Sequence, residues 1–140
     1  MTRGVAMSLR WDSVVVDCHD PGTLARWWAD VLGWQLVEES DDEVLIAPAH
    51  VAGAGPLSTK QWQELGPVLL FGTAAEGKQV KNRLHLDLAP HVSDDREAEI
   101  ARLVSKGATH IDIGQGADLP WTVLADPEGN EFCVLSARDR

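Results

Sequence analysis

The strongest constraint in this sequence is a strand–helix–three-strand order that occurs twice within 140 residues. Ser13 to Cys18 (SVVVDC) is a β-branched run that reads as a strand. Asp20-Pro21 opens a helix, with Asp as N-cap and Pro in the first turn. Leu24, Trp27, Trp28 and Val31 fall at i, i+3, i+4 and i+7, so one helix face is apolar, and Gly33 closes the helix. Strands over Gln35 to Glu38 and Val44 to Ala47 follow, joined by the turn-prone Ser40-Asp41-Asp42, and Pro67 to Phe71 adds a third. Arg83 to Leu88 (RLHLDL) starts the order again. Asp94 with Glu97 has capping-box spacing, Ile100, Leu103 and Val104 carry the second apolar stripe, and Gly107 ends it. Strands over Thr109 to Ile113, Trp121 to Ala125 and Glu131 to Leu135 complete the copy. Asp126-Pro127-Glu128-Gly129 makes the turn between the last two. Each copy is too small to bury a core alone, so the two are expected to pack as one α+β domain.

The expected organisation is an N-terminal extension over 1–12, a single domain over 13–136 and a tail over 137–140. Within the domain, module one covers 13–72, a linker 73–82 and module two 83–136. From Pro48 to Gly66 small residues, Gly and Pro dominate, apart from a short helical turn over Thr59 to Leu65 that carries Trp62. So long a loop serves as a lid or pocket wall, or is a plain surface insertion.

Charge and cysteine content exclude several classes of function. Twelve Lys and Arg against 22 Asp and Glu give a formal charge of −10, which repels phosphate backbones and argues against nucleic-acid binding. No run approaches the roughly 18–20 apolar residues of a membrane span, and the N-terminus lacks an apolar signal core, so a cytoplasmic protein without membrane contact is expected. Two cysteines, Cys18 and Cys133, supply neither a disulfide framework nor a thiolate zinc site. The six Trp, no Tyr and two Phe concentrate aromatic surface in indole rings, which stack well on flat ligands.

Period-two alternation sorts the side chains that carry chemistry. In RLHLDL, Leu84, Leu86 and Leu88 point one way and Arg83, His85 and Asp87 the other. The leucines are expected toward the helices. An ionisable trio on one strand face has to pair internally or meet a polar ligand. An Arg83–Asp87 ion pair with His85 between them satisfies the first option, and recognition of a ligand satisfies the second. On the first strand Ser13, Val15 and Asp17 share a face and Cys18 takes the helix side. On the last, Cys133 shares a face with Glu131 and Leu135, with no adjacent base to make it a nucleophile. Trp121 and Trp62 are candidates for stacking on a planar ligand. Trp27 and Trp28 are expected in the core. Lys78, Lys81 and Asn82 form either a solvated crossover or a basic lip.

Three motifs resemble those of the vicinal oxygen chelate superfamily, which groups glyoxalases, bleomycin-resistance proteins and dioxygenases. They are Trp27-Trp28-x-x-Val31-Leu32-Gly33-Trp34, the Asp126-Pro127-Glu128-Gly129-Asn130-Glu131-Phe132 turn, and Glu76-Gly77-Lys78-x-x-Lys81-Asn82-Arg83-x-His85-x-Asp87. The resemblance runs from about Ser13 to Leu135 and implies paired βαβββ modules that curl into an incomplete barrel around one cavity. In metal-dependent members four side chains hold a divalent ion, at the start of the first strand and on the last strand of each module. Here those positions fall on Ser13, near Leu70, on His85 and on Cys133. Leu70 cannot bind an ion and Ser13 binds one poorly, so the quartet is broken. His85-x-Asp87 supplies two thirds of an alternative facial triad, whose third ligand would have to come from His19, His50, His91 or His110.

The expectation is therefore a monomer or homodimer that holds a small organic ligand in the cavity, anchored by Arg83, His85, Asp87, Trp121, Cys133 and Trp62. No cofactor is expected, and a divalent metal is disfavoured. The alternative is a metal-independent lyase or isomerase in which His85 is the general acid or base, tuned by Asp87 and Arg83. A metal-dependent glyoxalase or dioxygenase ranks third.

Overall fold

A computed structural model describes residues 9–112 and 120–140. The chain divides into two compact units, Met1–Ala75 and Glu76–Arg140, and the division falls inside the segment read from sequence as the linker.

In the first unit the order is β1 (Ser13–Cys18), α1 (Pro21–Leu32), β2 (Gln35–Glu39), β3 (Glu43–Ala47), α2 (Ala49–Ala52), α3 (Thr59–Glu64) and β4 (Val68–Thr73). The strands form an open sheet in the order β1-β4-β3-β2, with β1 parallel to β4 from Ser13 opposite Val68 onward. Helix α1 forms where the sequence places it. The Asp20 carboxylate accepts the Thr23 N–H, Pro21 occupies the first turn, and Gly33 closes the helix at φ 68°, a left-handed conformation that favours glycine. Leu24, Trp28 and Val31 are buried, as are Val44, Ile46, Leu69 and Phe71 on the strands. Trp27 is only half-buried and meets Trp28 edge to face at 5.1 Å. The alternation of β1 holds too, with Cys18 buried and Val15 57% exposed.

Two short helices interrupt the 48–66 loop. Helix α3 is fixed by a capping box, in which the Ser58 side chain accepts the Gln61 N–H and the Gln61 side chain reaches back to the Ser58 N–H. α2, a single turn, has no side-chain cap and no periodic signal in the sequence.

The second unit repeats the plan with β5 (Leu86–Leu88), α4 (Arg96–Ser105), β6 (Thr109–His110), β7 (Thr122–Ala125) and β8 (Glu131–Val134). Its open sheet runs β5-β8-β7-β6, again with the first strand parallel to the last. Three expectations need correction. The N-cap of α4 is Asp95, which accepts the N–H groups of Glu97 and Ala98, rather than Asp94 in a capping box. Val104 is 39% exposed, so the buried stripe is Ile100 and Leu103. β5 starts at Leu86, not Arg83. In its parallel register Leu86 faces Phe132, so residues 83 and 84 would have to pair with Gly129 and Asn130, which belong to the turn before β8. Lacking a ladder partner, the chain bends there, and Leu84 is 90% exposed instead of facing the helix. The last residue of the expected 109–113 strand, Ile113, lies outside the described residues.

Helix α4 is tied to the end of β8 by one side chain. Arg96 donates from Nε to the Leu135 carbonyl and from Nη2 to the Val134 carbonyl and the Thr122 hydroxyl.

Candidate functional site

The site is built on the β5–β8 pair. Asp87 and Cys133 are register partners on adjacent parallel strands, so both side chains project from the same face of the sheet. Leu86 and Leu88 pair with Phe132 and Val134 on the opposite face, where Phe132 and Val134 are buried. His85, two residues before Asp87, follows the alternation. Its Nε2 lies 3.2 Å from Asp87 Oδ1, with both side chains more than a third exposed, whereas Cys133 is buried. One nitrogen of His85, one carboxylate oxygen of Asp87 and the sulfur of Cys133 lie within 4.8 Å of one another. Burial pushes the Cys133 thiol pKa up, and the Asp87 carboxylate, which accepts its hydrogen bond, pushes it further, against a weaker pull from Lys81. The thiol is thus a neutral donor at neutral pH. Asp87 accepts from Cys133 on one side and pairs with His85 on the other.

The start of β8 is clamped from the linker. Lys78 Nζ lies 3.0 Å from Glu131 Oε1 and also donates to the Val80 carbonyl, while the Asn82 N–H donates to Glu131 Oε2. Burial works to raise the Glu131 pKa, but the Asn82 and Glu131 N–H groups and Lys78 outweigh it and hold the carboxyl below its ordinary value. Lys78 and Asn82 thus brace the strand that carries Cys133. Sequence reasoning missed this role, because the partners are about fifty residues apart and no local pattern links them. The Asp126 carboxylate fixes the turn just before, accepting the N–H groups of Glu128 and Asn130.

The remaining sequence candidates are dispersed. Arg83 is exposed and precedes β5, and the ion pair on this face joins His85 to Asp87. Trp121 is 38% exposed and lies two residues before Val123, the β7 partner of Cys133. Trp62 sits on α3 in the first unit, where the Arg10 guanidinium stands 5.8 Å from its ring centroid. A cation of the chain itself therefore covers one approach to that ring. Among the described residues one group offers three donor types of the kind that bind metals, and its third member is Cys133 rather than His19, His50, His91 or His110.

The sequence profile of the glyoxalase-like domain matches residues 13–135, spanning both units. The chain belongs to this family. No curated protein gives a significant match. Among solved structures, similarity extends to a glyoxalase/bleomycin resistance protein/dioxygenase family enzyme from Burkholderia phytofirmans, at 16% identity and a TM-score of 0.65, covering 92% of this chain and 99% of that one. The protein ATC0852 from Agrobacterium tumefaciens matches at 18% identity and a TM-score of 0.60, over 94% and 98% of the two chains. The fosfomycin resistance protein FosX from Listeria monocytogenes, solved with Mn(II) and sulfate, matches at 9% identity and a TM-score of 0.62, over 98% and 92%. At these identities the likeness establishes the fold.

Of the four positions at which the resemblance implies ion ligands, two fall in the first unit of this glyoxalase-like chain, at Ser13 and near Leu70. In the first unit Leu70 pairs with Val15 and Leu45, a hydrocarbon side chain with nothing to donate. Ser13 offers one weak hydroxyl. The two positions in the second unit carry His85 and Cys133. Among the described residues no helix is long and apolar enough to cross a membrane.

Proposed function

We propose that this glyoxalase-like protein binds a small polar organic molecule on the His85–Asp87 face of its second module, without the four-ligand ion site of its metal-dependent relatives. The observation that carries the reading is the exposed His85–Asp87 pair at 3.2 Å. Cys133 backs the carboxylate from within the sheet, and Trp121, two residues before the β7 partner of Cys133, offers a flat apolar surface. The imidazole and the carboxylate together offer both donor and acceptor atoms, so a ligand with a hydroxyl or amide group suits the pair. The net charge of −10 favours such a partner over a nucleic acid.

Native mass spectrometry of the purified protein identifies any molecule it carries, and quenching of Trp fluorescence then measures affinity. His85→Ala and Asp87→Asn should each weaken binding at least tenfold while the protein stays folded. Equal affinity in wild type and both variants would place the ligand elsewhere and overturn the reading.

The same pair supports a second reading, a metal-independent lyase or isomerase. An imidazole with a carboxylate 3.2 Å away is a candidate to take a proton from a bound substrate and return it. Arg83, exposed and outside the strand, is the remaining candidate to meet an anionic part of that substrate. Turnover lost in His85→Ala with binding retained distinguishes catalysis from sequestration.

A further inference from the structure

We propose that His85, Asp87 and Cys133 form a three-donor site for a zinc-like divalent ion, built wholly within the second module. The donor positions implied by the fold are split between the two modules, and the first module supplies nothing usable. The second compensates with a residue outside that set, Asp87, at the register position next to Cys133. The result is a different site, one imidazole, one carboxylate and one thiol, on two adjacent strands.

The spacing suits an ion. Metal–ligand bonds of about 2.0–2.3 Å in a tetrahedron place donor atoms roughly 3.3–3.6 Å apart. His85 Nε2 and Asp87 Oδ1, at 3.2 Å, already stand at that separation. The three donors lie within 4.8 Å of one another, so the sulfur has to close by no more than about 1.2 Å to reach that range. Cys133 is carried by a paired central strand and cannot wander, while His85 and Asp87 are exposed and free to adjust their rotamers. Their exposure also leaves the fourth position open to water or another small donor, the arrangement of a reactive centre rather than a closed structural one. A sulfur and a nitrogen beside a single oxygen select Zn²⁺ or Co²⁺ over Mg²⁺ and Ca²⁺, which prefer oxygen ligands throughout. On binding, the ion replaces the thiol proton, which passes to solvent.

The inference does not rest on the organic-ligand reading, since the ion is tested alone. Metal-free, reduced protein is titrated with Co²⁺ and followed by absorption. The expected result is one equivalent per chain, a near-ultraviolet charge-transfer band from a cobalt–thiolate bond, and its loss when Zn²⁺ is added. Cys133→Ser should abolish the band and Cys18→Ser should keep it, with circular dichroism confirming that both fold. Because Cys133 is buried, His85→Ala and Asp87→Asn provide an independent arm at exposed positions, and each should weaken Co²⁺ binding at least tenfold. Mg²⁺ in excess should not compete. Absence of the band in wild type, its persistence in Cys133→Ser, or unchanged affinity in both His85→Ala and Asp87→Asn would overturn the proposal.

Discussion

Replacing Asp126 by Ala should destabilise the protein by about 3 kcal/mol. Asp126 is the only charged residue buried among those described, at 3% exposure. Its Oδ1 accepts the N–H of Glu128 at 2.9 Å and of Asn130 at 3.0 Å, and the Asn130 amide reaches both carboxylate oxygens at 3.3 and 3.2 Å. Hydrogen bonds to a charged group contribute roughly 1.5–3 kcal/mol each, and two backbone donors lose their partner together. Glu128 and Asn130 are half-buried, so water recovers part of the loss, which brings the estimate down from the simple sum to about 3 kcal/mol. Asp126→Asn keeps an acceptor in the same place and should cost only about 1 kcal/mol. Urea unfolding, with midpoint and slope fitted separately, measures both. A loss under about 0.5 kcal/mol in Asp126→Ala, within the range of ordinary surface substitutions, would show that the turn holds without the carboxylate. Equal losses in Asp126→Ala and Asp126→Asn would show that charge, not the acceptor, matters.

Two further perturbations test the first module. Gly33 closes α1 at φ +68°, with nothing within 4 Å of an added Cβ, so Gly33→Ala meets backbone strain alone and should cost about 1 kcal/mol, with Gly33→Asn costing less. A neutral Gly33→Ala in urea unfolding would contradict the helix end. Arg26 donates to both Glu39 oxygens at 2.7 and 2.8 Å and thereby holds the Glu39 carboxyl below its ordinary 4.5. A carboxyl lowered on folding stabilises above its unfolded pKa and loses that contribution as pH falls through the folded value. The difference in melting temperature between wild type and Glu39→Gln should therefore be greatest near neutral pH and close as the pH drops below about 4. A constant difference down to pH 3 would refute the pairing.

The fold was legible because its signals are local. Asp20, Pro21 and Gly33 bound α1 through contacts within a few residues, and alternation in SVVVDC puts Cys18 and Val15 on opposite faces, where they are buried and exposed respectively. The repeat of one order twice then predicts two like sheets, and both run first strand, last strand, third, second. The errors share a cause. β5 is shorter than its alternation because its partner strand begins only at Glu131, which leaves residues 83 and 84 nothing to pair with in the register of β5, and no pattern in RLHLDL reports where another strand starts. The one-residue shift of the α4 cap reflects two neighbouring aspartates, Asp94 and Asp95, each able to accept from the first turn.

The candidate site was legible residue by residue but not as an arrangement. Alternation places His85 and Asp87 on one face and Cys133 on its own strand's inner side, yet whether the sulfur reaches the carboxylate depends on register. The parallel pairing has an offset of forty-six residues, setting Asp87 against Cys133. A slip of one residue would set Asp87 against Phe132 or Val134 and turn every side chain of the strand to the other face. That register is fixed by burial on the far side, where Phe132 and Val134 sit at 1% and 3% exposure, and by Glu131, which the Lys78 ammonium and Asn82 N–H hold in place. The chemistry on one face of the sheet is therefore set by packing on the other. A small-to-large change at Leu86 or Leu88 bears on the His85–Asp87–Cys133 geometry as directly as a change among those three residues.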